Sequence, residues 1–217
     1  MTGVTQLKDY KLRFDDLGII DLEFTSWKDS LKRNWSLEWE KKEIINIGAI
    51  KFNKKFENKI FEKSFFFKPK KNKLSTYFQK LTSISQSKIN SSNFLKDKDL
   101  EKINFFFKNT EFIFSNGIDE VILKEDLKEK RINYKKYSFL DKIINIKPLI
   151  AKLLNIDENE AISSDLPKLV GINRGESLKK HLAVDDAKAI FFCLRHLNNE
   201  GILTFDTLIK FSKRNGK

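Results

Sequence analysis

Cysteine occurs once, at Cys193. A single thiol excludes an intrachain disulfide and any zinc site built on cysteine pairs. Its neighbours Phe191, Phe192 and Leu194 mark it as a buried structural thiol. Proline occurs three times and glycine eight, so there is no Pro- or Gly-rich linker to divide the chain. No internal repeat is visible. No apolar run reaches the roughly 18 residues of a membrane span, and the N-terminus lacks the apolar core of a signal peptide. A soluble cytoplasmic protein is therefore the expectation, with no membrane partner. Arginine is also sparse, at residues 13, 33, 131, 174, 195 and 214.

The 217 residues suffice for one sizeable α/β domain or two small ones. Twenty phenylalanines predict a Phe-rich core. The net charge of +12 suits a polyanionic partner such as nucleic acid. Lysine supplies nearly all of it, and a chain rich in Lys, Asn, Ile and Phe also fits AT-rich codons. The charge supports a nucleic-acid partner without establishing one.

The stretch Ile20-Asp21-Leu22-Glu23-Phe24-Thr25 stands out. As a strand from Gly18 to Thr25, it places Asp21 and Glu23 on one face, about 6–7 Å apart, and Leu22 and Phe24 on the other. Two bare carboxylates on a buried strand are costly without a partner, and a divalent metal suits them. An edge strand with two wet acids is the plainer reading.

Residues 26–42 hold Trp27, Trp35 and Trp39, with Lys28, Lys32 and Arg33 among them. Residues 43–52 and 59–68 read as second and third strands, completing an antiparallel meander. Leu74 to Thr82 reads as a helical turn. Ser91 to Lys108 reads as a longer helix, capped by Ser91, Ser92 or Asn93. A strand at 111–115, a turn at Asn116-Gly117 and a helix from Asp119 to about Glu129 come next. Lys142 to Lys147 reads as a last strand and Pro148 opens a helix. A short helix at 165–170 and a long one ending near Asn198 complete the main body. Residues 1–16 read as a lead-in, 17–200 as the domain, and 201–217 as a tail with room for one more helix. Strands followed by alternating helices and strands predict an α/β fold, a mixed sheet with helices on its faces.

On that scaffold Asp21, Glu23, Asp119 and Asp186 can meet, with His181 in the turn before the long helix. Four acids together raise one another's pKa. Two Mg²⁺ or Mn²⁺ ions would neutralise them and serve phosphoryl transfer. His181 could take a proton from water at neutral pH, since histidine ordinarily titrates near 6.5. Each residue alone has a plainer role: Asp119 as a helix cap, His181 and His196 as surface histidines. Asp185 is the rival of Asp186, and could cap the long helix. Glu40 and Glu43 read as solvated hairpin residues, and Asp97, Asp99 and Glu101 as a charged helix face.

The chain resembles the DEDDh-type 3′-to-5′ exonucleases of the RNase T and DNA polymerase III epsilon-like superfamily, in its KapD-like branch. Asp21-Leu-Glu23-Phe-Thr25 matches the first motif, Asp119 within Phe114-Ser-Asn-Gly-Ile-Asp119 the second, and His181-Leu-Ala-Val-Asp185-Asp186 the third, with His-x4-Asp spacing favouring Asp186. Phe67-Lys-Pro69 and Leu74-Ser75 to Leu81-Thr-Ser-Ile84 are similar to a loop of that branch. Ile118 departs from the aromatic or acidic residue often found before the second-motif aspartate.

The resemblance covers roughly residues 17–198. It implies an RNase H-like fold and two metals held by Asp21, Glu23, Asp119 and Asp186, with His181 as base. It also implies release of nucleoside 5′-monophosphates from single-stranded 3′ ends, RNA slightly before DNA. Phe24, Thr25, Trp27, Phe78 and Leu81 are the candidate substrate contacts, Trp27 foremost because flat aromatics beside lysines stack single-stranded bases. A DNA proofreading or repair exonuclease is the nearest rival. A catalytically silent nucleic-acid-binding domain is the rival from another class.

Overall fold

A computed structural model describes residues 16–57, 60–173 and 178–215. The expected lead-in thus lies outside the described residues save for Asp16. So do Lys59, the expected start of the third strand, and residues 174–177 upstream of the long helix.

Five strands form one mixed sheet in the order β3-β2-β1-β4-β5. β1 (Asp16–Phe24), β2 (Ile44–Asn53) and β3 (Phe61–Phe66) make the antiparallel meander, with Asp21 opposite Gly48 and Glu23 opposite Asn46. β4 (Thr110–Ser115) runs parallel to β1 on its other side, and β5 (Ile143–Asn145) parallel to β4. β1 is therefore the centre of the sheet and is flanked on both sides. That explains why its sequence is apolar apart from the two acids.

Side chains of β1 alternate as the strand period requires. Leu17 and Ile19 join the core under the long helix α7, while Ile20 and Leu22 join the core on the opposite face. Asp21 and Glu23 continue the first set, so both acids point to the α7 side.

Before β4 lie α1 (Thr76–Thr82), α2 (Gln86–Asn90) and α3 (Asp97–Phe106). The helix expected from Ser91 thus begins at Asp97. Ser91 closes α2 by donating from Oγ to the Lys88 carbonyl, and the Asn93 carbonyl accepts the Lys68 N–H. These residues are committed elsewhere. α3 instead opens where the Asp99 carboxylate accepts the Lys96 N–H at 3.2 Å, with Asp97 adding a second negative charge to the first turn. That use buries Asp99 rather than leaving it on a wet face.

After β4 come α4 (Asp119–Glu129), α5 (Lys147–Leu154), α6 (Leu166–Leu169), α7 (Ala183–Asn199) and α8 (Phe205–Asn215). α7 lays Ala187, Ile190, Phe191 and Leu194 on the sheet. Full burial of each larger side chain contributes about 1.5–3 kcal/mol. Cys193 is fully buried in the same layer, which pushes its thiol up to about 12. The C-terminal tail carries α8, whose Leu208 is fully buried against this core. Among the described residues no helix is long and apolar enough to cross a membrane.

Glu40 and Glu43 correct the expectation of solvated acids, at 3% and 4% exposure. Glu40 is engaged by the Arg33 guanidinium and the Ser30 hydroxyl. The Glu43 carboxylate accepts the backbone N–H groups of Lys70, Lys71 and Asn72 at 2.7, 2.9 and 3.3 Å. Burial is tolerated because each oxygen is satisfied. The same bonds pin the loop after β3 to the start of β2.

Candidate active site

Three elements converge on the acidic face of β1. The first is α7. Its N-terminal residue Ala183 sits directly over Gly48, so closely that a Cβ on Gly48 would lie 2.1 Å from the Ala183 carbonyl carbon. Asn46, fully buried two residues earlier, accepts the Ala183 N–H on Oδ1 at 3.2 Å. Its Nδ2 donates to Ser64 Oγ and the Phe65 carbonyl. One amide thus satisfies an orphan donor of the helix end and ties it to two strands. Because Asn46 faces Glu23 and Gly48 faces Asp21, the first turn of α7 and the two acids are neighbours.

Asp186, 4% exposed, lies in that first turn. Its Oδ2 accepts the His181 N–H at 3.1 Å. His181 adopts a left-handed backbone, φ 56°, which turns the chain sharply into α7. Asp185 does not cap the helix. Leu182 occupies the cap position, and Asp185 accepts the Lys179 N–H at 3.0 Å, holding the approach loop. The rivalry between the two aspartates is decided by direction: Asp185 looks back along the loop, Asp186 toward β1.

The second element is α4. Ile118 takes its cap position, and Asp119 is the first helical residue. Asp119 Oδ1 accepts the N–H of Leu22 at 3.1 Å. Leu22 lies between Asp21 and Glu23, so this bond fixes the third carboxylate against the backbone of the first two. The third element is the segment before α6. Ser163 hydrogen-bonds the Asp21 carboxylate, and Asn116 Nδ2 donates to Ser163 Oγ at 3.2 Å and to the Ala161 carbonyl at 2.8 Å.

Electrostatics mark the cluster. Burial pushes the Asp21 carboxyl well above its ordinary range, with Asp119, Asp186 and Glu23 adding to the effect. Glu23 is raised by burial and then by Asp186 and Asp119. Asp119 is pushed up to about 6 by burial, against the backbone N–H groups that favour its charge. Glu23, His181 and Asp186 each offer a ligand atom, all within 4.8 Å of one another. Mutually repelling, desolvated oxygen donors of this kind fit hard divalent cations. Sequence reasoning named the five residues that the structure brings together here. It missed Gly48, Asn46 and Ser163, and only Gly48 carried a signal, a glycine inside a strand.

The expected substrate contacts divide. Trp27 is half-buried, edge-on to Trp39 at 5.0 Å between centroids, and keeps part of its ring open. Phe24 and Leu81 are half-buried. Trp35 packs on Phe24 at 5.5 Å and donates its indole N–H to the Thr25 carbonyl at 3.1 Å. Thr25 and Phe78 are corrections, each 1% exposed. The Thr25 hydroxyl is consumed by the Lys41 carbonyl and the Glu43 N–H. Phe78 fills a small core with Ile45, Leu74, Ile84 and Ile89. Neither side chain offers a surface to a ligand. His196 lies about 15 Å along α7 from Asp186 and plays no part in the cluster.

The exonuclease model of the RNase T family matches residues 19–192. The chain belongs to this family of exonucleases, and its four acids and histidine give it the DEDDh pattern of a 3′-to-5′ exonuclease. Its RNase H-like fold is shared with several solved nucleases. The nuclease domain of 3′hExo, a DEDDh family member solved with rAMP, is similar at TM-score 0.70 and 20% identity, over 88% of this chain and 94% of that one. Cell-death related nuclease 4 (CRN-4) is similar at TM-score 0.67 and 18% identity, over 87% of this chain and 65% of that one. Exonuclease I of E. coli, solved with single-stranded DNA, is similar at 0.65 and 14%, over 90% and 43%. The chain spans 62% of a full-length 3′-exonuclease. No curated protein matches it.

Proposed function

We propose that the protein removes nucleoside 5′-monophosphates from the 3′ ends of single-stranded nucleic acid, with RNA slightly preferred, at a site formed by Asp21, Glu23, Asp119, Asp186 and His181. The observation that carries this reading is the convergence of four carboxylates from β1, α4 and α7 beside one imidazole. The carboxylates would hold two divalent ions, Mg²⁺ or Mn²⁺. Bound there, the ions supply charge neutralisation and Lewis acidity for an in-line displacement at phosphorus.

The chain's own residues do the rest. Leu22 N–H, Ser163 and His181 N–H keep three carboxylates from turning away. The imidazole of His181, on a turn at the site's edge, accepts the proton of the attacking water. Trp27 offers its open ring to the terminal base, and Phe24 and Leu81 back it. RNA is favoured because structural neighbours include an exonuclease described with a histone mRNA stem-loop. The single-stranded DNA held by exonuclease I keeps DNA as the second substrate.

The test is degradation of 5′-labelled single-stranded RNA and DNA, with and without Mn²⁺ or Mg²⁺, beside Asp21→Ala and His181→Ala. The expected result is a metal-dependent ladder shortening from the 3′ end and lost in both variants. Tight binding without any ladder would instead mean a silent binding domain.

A further inference from the structure

A second charged feature lies beyond the end of β1, apart from the four carboxylates. It is an open groove of about 580 Å³ between the loop after β1, the loop after β3 and the C-terminal end of α4. Much of its charge is internally compensated. Lys42 pairs with Glu125 at 3.7 Å and Lys71 with Glu129 at 2.7 Å. Lys130 is buried between Asp126 and Glu43. Four exposed cations remain that make no salt bridge among the described residues: Lys41 and Lys128, which also act on the Glu129 carboxylate from further away, Lys70, which lies 5.9 Å from the Phe94 ring centroid, and Arg131. They come from three separate segments of chain, and the folded structure gathers them on one groove.

The groove is built rather than incidental. The buried Glu43 carboxylate holds the backbone N–H groups of Lys70 and Lys71, and its Lys130 partner ties that loop to α4. Three of these four cations, Lys70, Lys128 and Arg131, therefore stand on segments joined by one buried network. The groove also abuts the catalytic strand. Its wall residue Trp35 packs on Phe24, the neighbour of Glu23, and is bonded to the Thr25 carbonyl. Thr25 lies only about 7 Å of strand beyond Glu23, so this wall of the groove is anchored to the end of the strand that carries two of the acids.

We infer that this groove binds the sugar-phosphate backbone of the substrate strand several nucleotides 5′ of the reacting end, with Lys41, Lys70, Lys128 and Arg131 on the phosphates. The inference rests on the proposed nuclease reading for its ligand, and locates a contact region separate from the carboxylates. The groove holds long strands and leaves the shortest ones to the catalytic site alone. Spaced lysines on a groove read phosphate charge and not sequence.

The experiment compares the wild type with the triple variant Lys41→Ala, Lys70→Ala, Lys128→Ala. All three side chains are exposed, and a thermal melt checks that the fold survives. Binding of fluorescein-labelled 3-mer and 15-mer oligouridylates is followed by anisotropy in EDTA, over a range of KCl. Three lost phosphate contacts on a single strand lower the slope of log K against log salt by about 2. Across a tenfold change in salt that is about 100-fold in Kd, so the 15-mer weakens by about that factor at low salt. The 3-mer changes by less than about threefold. An unchanged slope for the 15-mer overturns the inference, and so does equal weakening of both lengths with an unaltered melt. Binding in EDTA needs no catalysis. A protein that binds as expected but never cleaves would refute the nuclease reading and leave the groove standing.

Discussion

Gly48→Ala is the substitution on which the geometry makes its sharpest demand. The added Cβ would stand 2.1 Å from the Ala183 carbonyl carbon, 2.2 Å from the Val184 nitrogen and 2.3 Å from the Ala183 oxygen. Carbon pairs rest at about 3.5–4.0 Å, so the first turn of α7 must rise by more than about 1 Å. All three obstructing atoms are backbone, so no side-chain rotation relieves the contact. Overpacking of this kind costs about 1–3 kcal/mol. The gain from a less flexible unfolded chain is about 0.4–1 kcal/mol, so the clash wins. At about 2–4 °C per kcal/mol for a chain of this size, a net loss of up to about 2.6 kcal/mol lowers the melt by up to about 10 °C.

The larger effect falls on catalysis, because the displaced turn carries Asp186 and its partner His181. A misplacement near 1 Å costs about 100-fold in rate. The comparison is Gly18→Ala, whose Cβ would meet the Phe107 ring at 2.7 Å on the opposite face of the same strand layer. It should lower the melt comparably while sparing the rate to within a few fold. Steady-state release of mononucleotide from a short oligonucleotide, with melts of both variants, decides the matter. A Gly48→Ala enzyme with wild-type kcat would refute the view that strand-to-helix contact sets the position of Asp186.

Other consequences are as direct. Asp119 is raised to about 6 in the fold and titrates near 3.9 when unfolded. Its share of stability is therefore fully present below about pH 4 and is lost as pH rises through 6, up to about 3 kcal/mol at neutral pH. Mn²⁺ should consequently raise the melting temperature more at pH 7.5 than at pH 4.5, and equal shifts at the two pH values would contradict the assignment. Asn46→Ala leaves the Ala183 N–H without its acceptor in a buried setting, costing about 1–3 kcal/mol. Chemical denaturation would measure that loss, and kcat should fall with it. Lys130→Met leaves Glu43 and Asp126 buried without their cation, about 3–5 kcal/mol. The penalty should shrink as pH falls, because burial pushes the Asp126 carboxyl above its ordinary range toward the protonated form; a pH-independent loss of Tm would argue against an ionic cause.

Much of the fold was legible in order along the chain. The alternation around Asp21 and Glu23 predicts a strand with both acids on one face, and the structure places Leu17 and Ile19 on that face and Ile20 and Leu22 on the other. The α4 boundaries and the α7 face were equally readable, because periodicity is a local property. The start of α3 was not. Ser91, Ser92 and Asn93 are good caps by type, but Asn93 bonds to Lys68, a residue distant in sequence. The same limit hid Glu43, whose three backbone donors come from the loop after β3. It also concealed that Thr25 and Phe78 are spent on structure.

The sequence by itself determined which residue types could hold cations and in what order they arrive: Asp21, Glu23, Asp119, His181 and Asp186. Residue chemistry and strand period are written in the chain and survive any choice of packing. Only the tertiary structure decided that Asp186 and not Asp185 faces β1, that a bare glycine lets α7 touch the sheet, and that three lysines and an arginine from separate segments share a groove. Each of those depends on contacts between residues tens of positions apart, and a local pattern carries no record of which distant backbone will supply the partner.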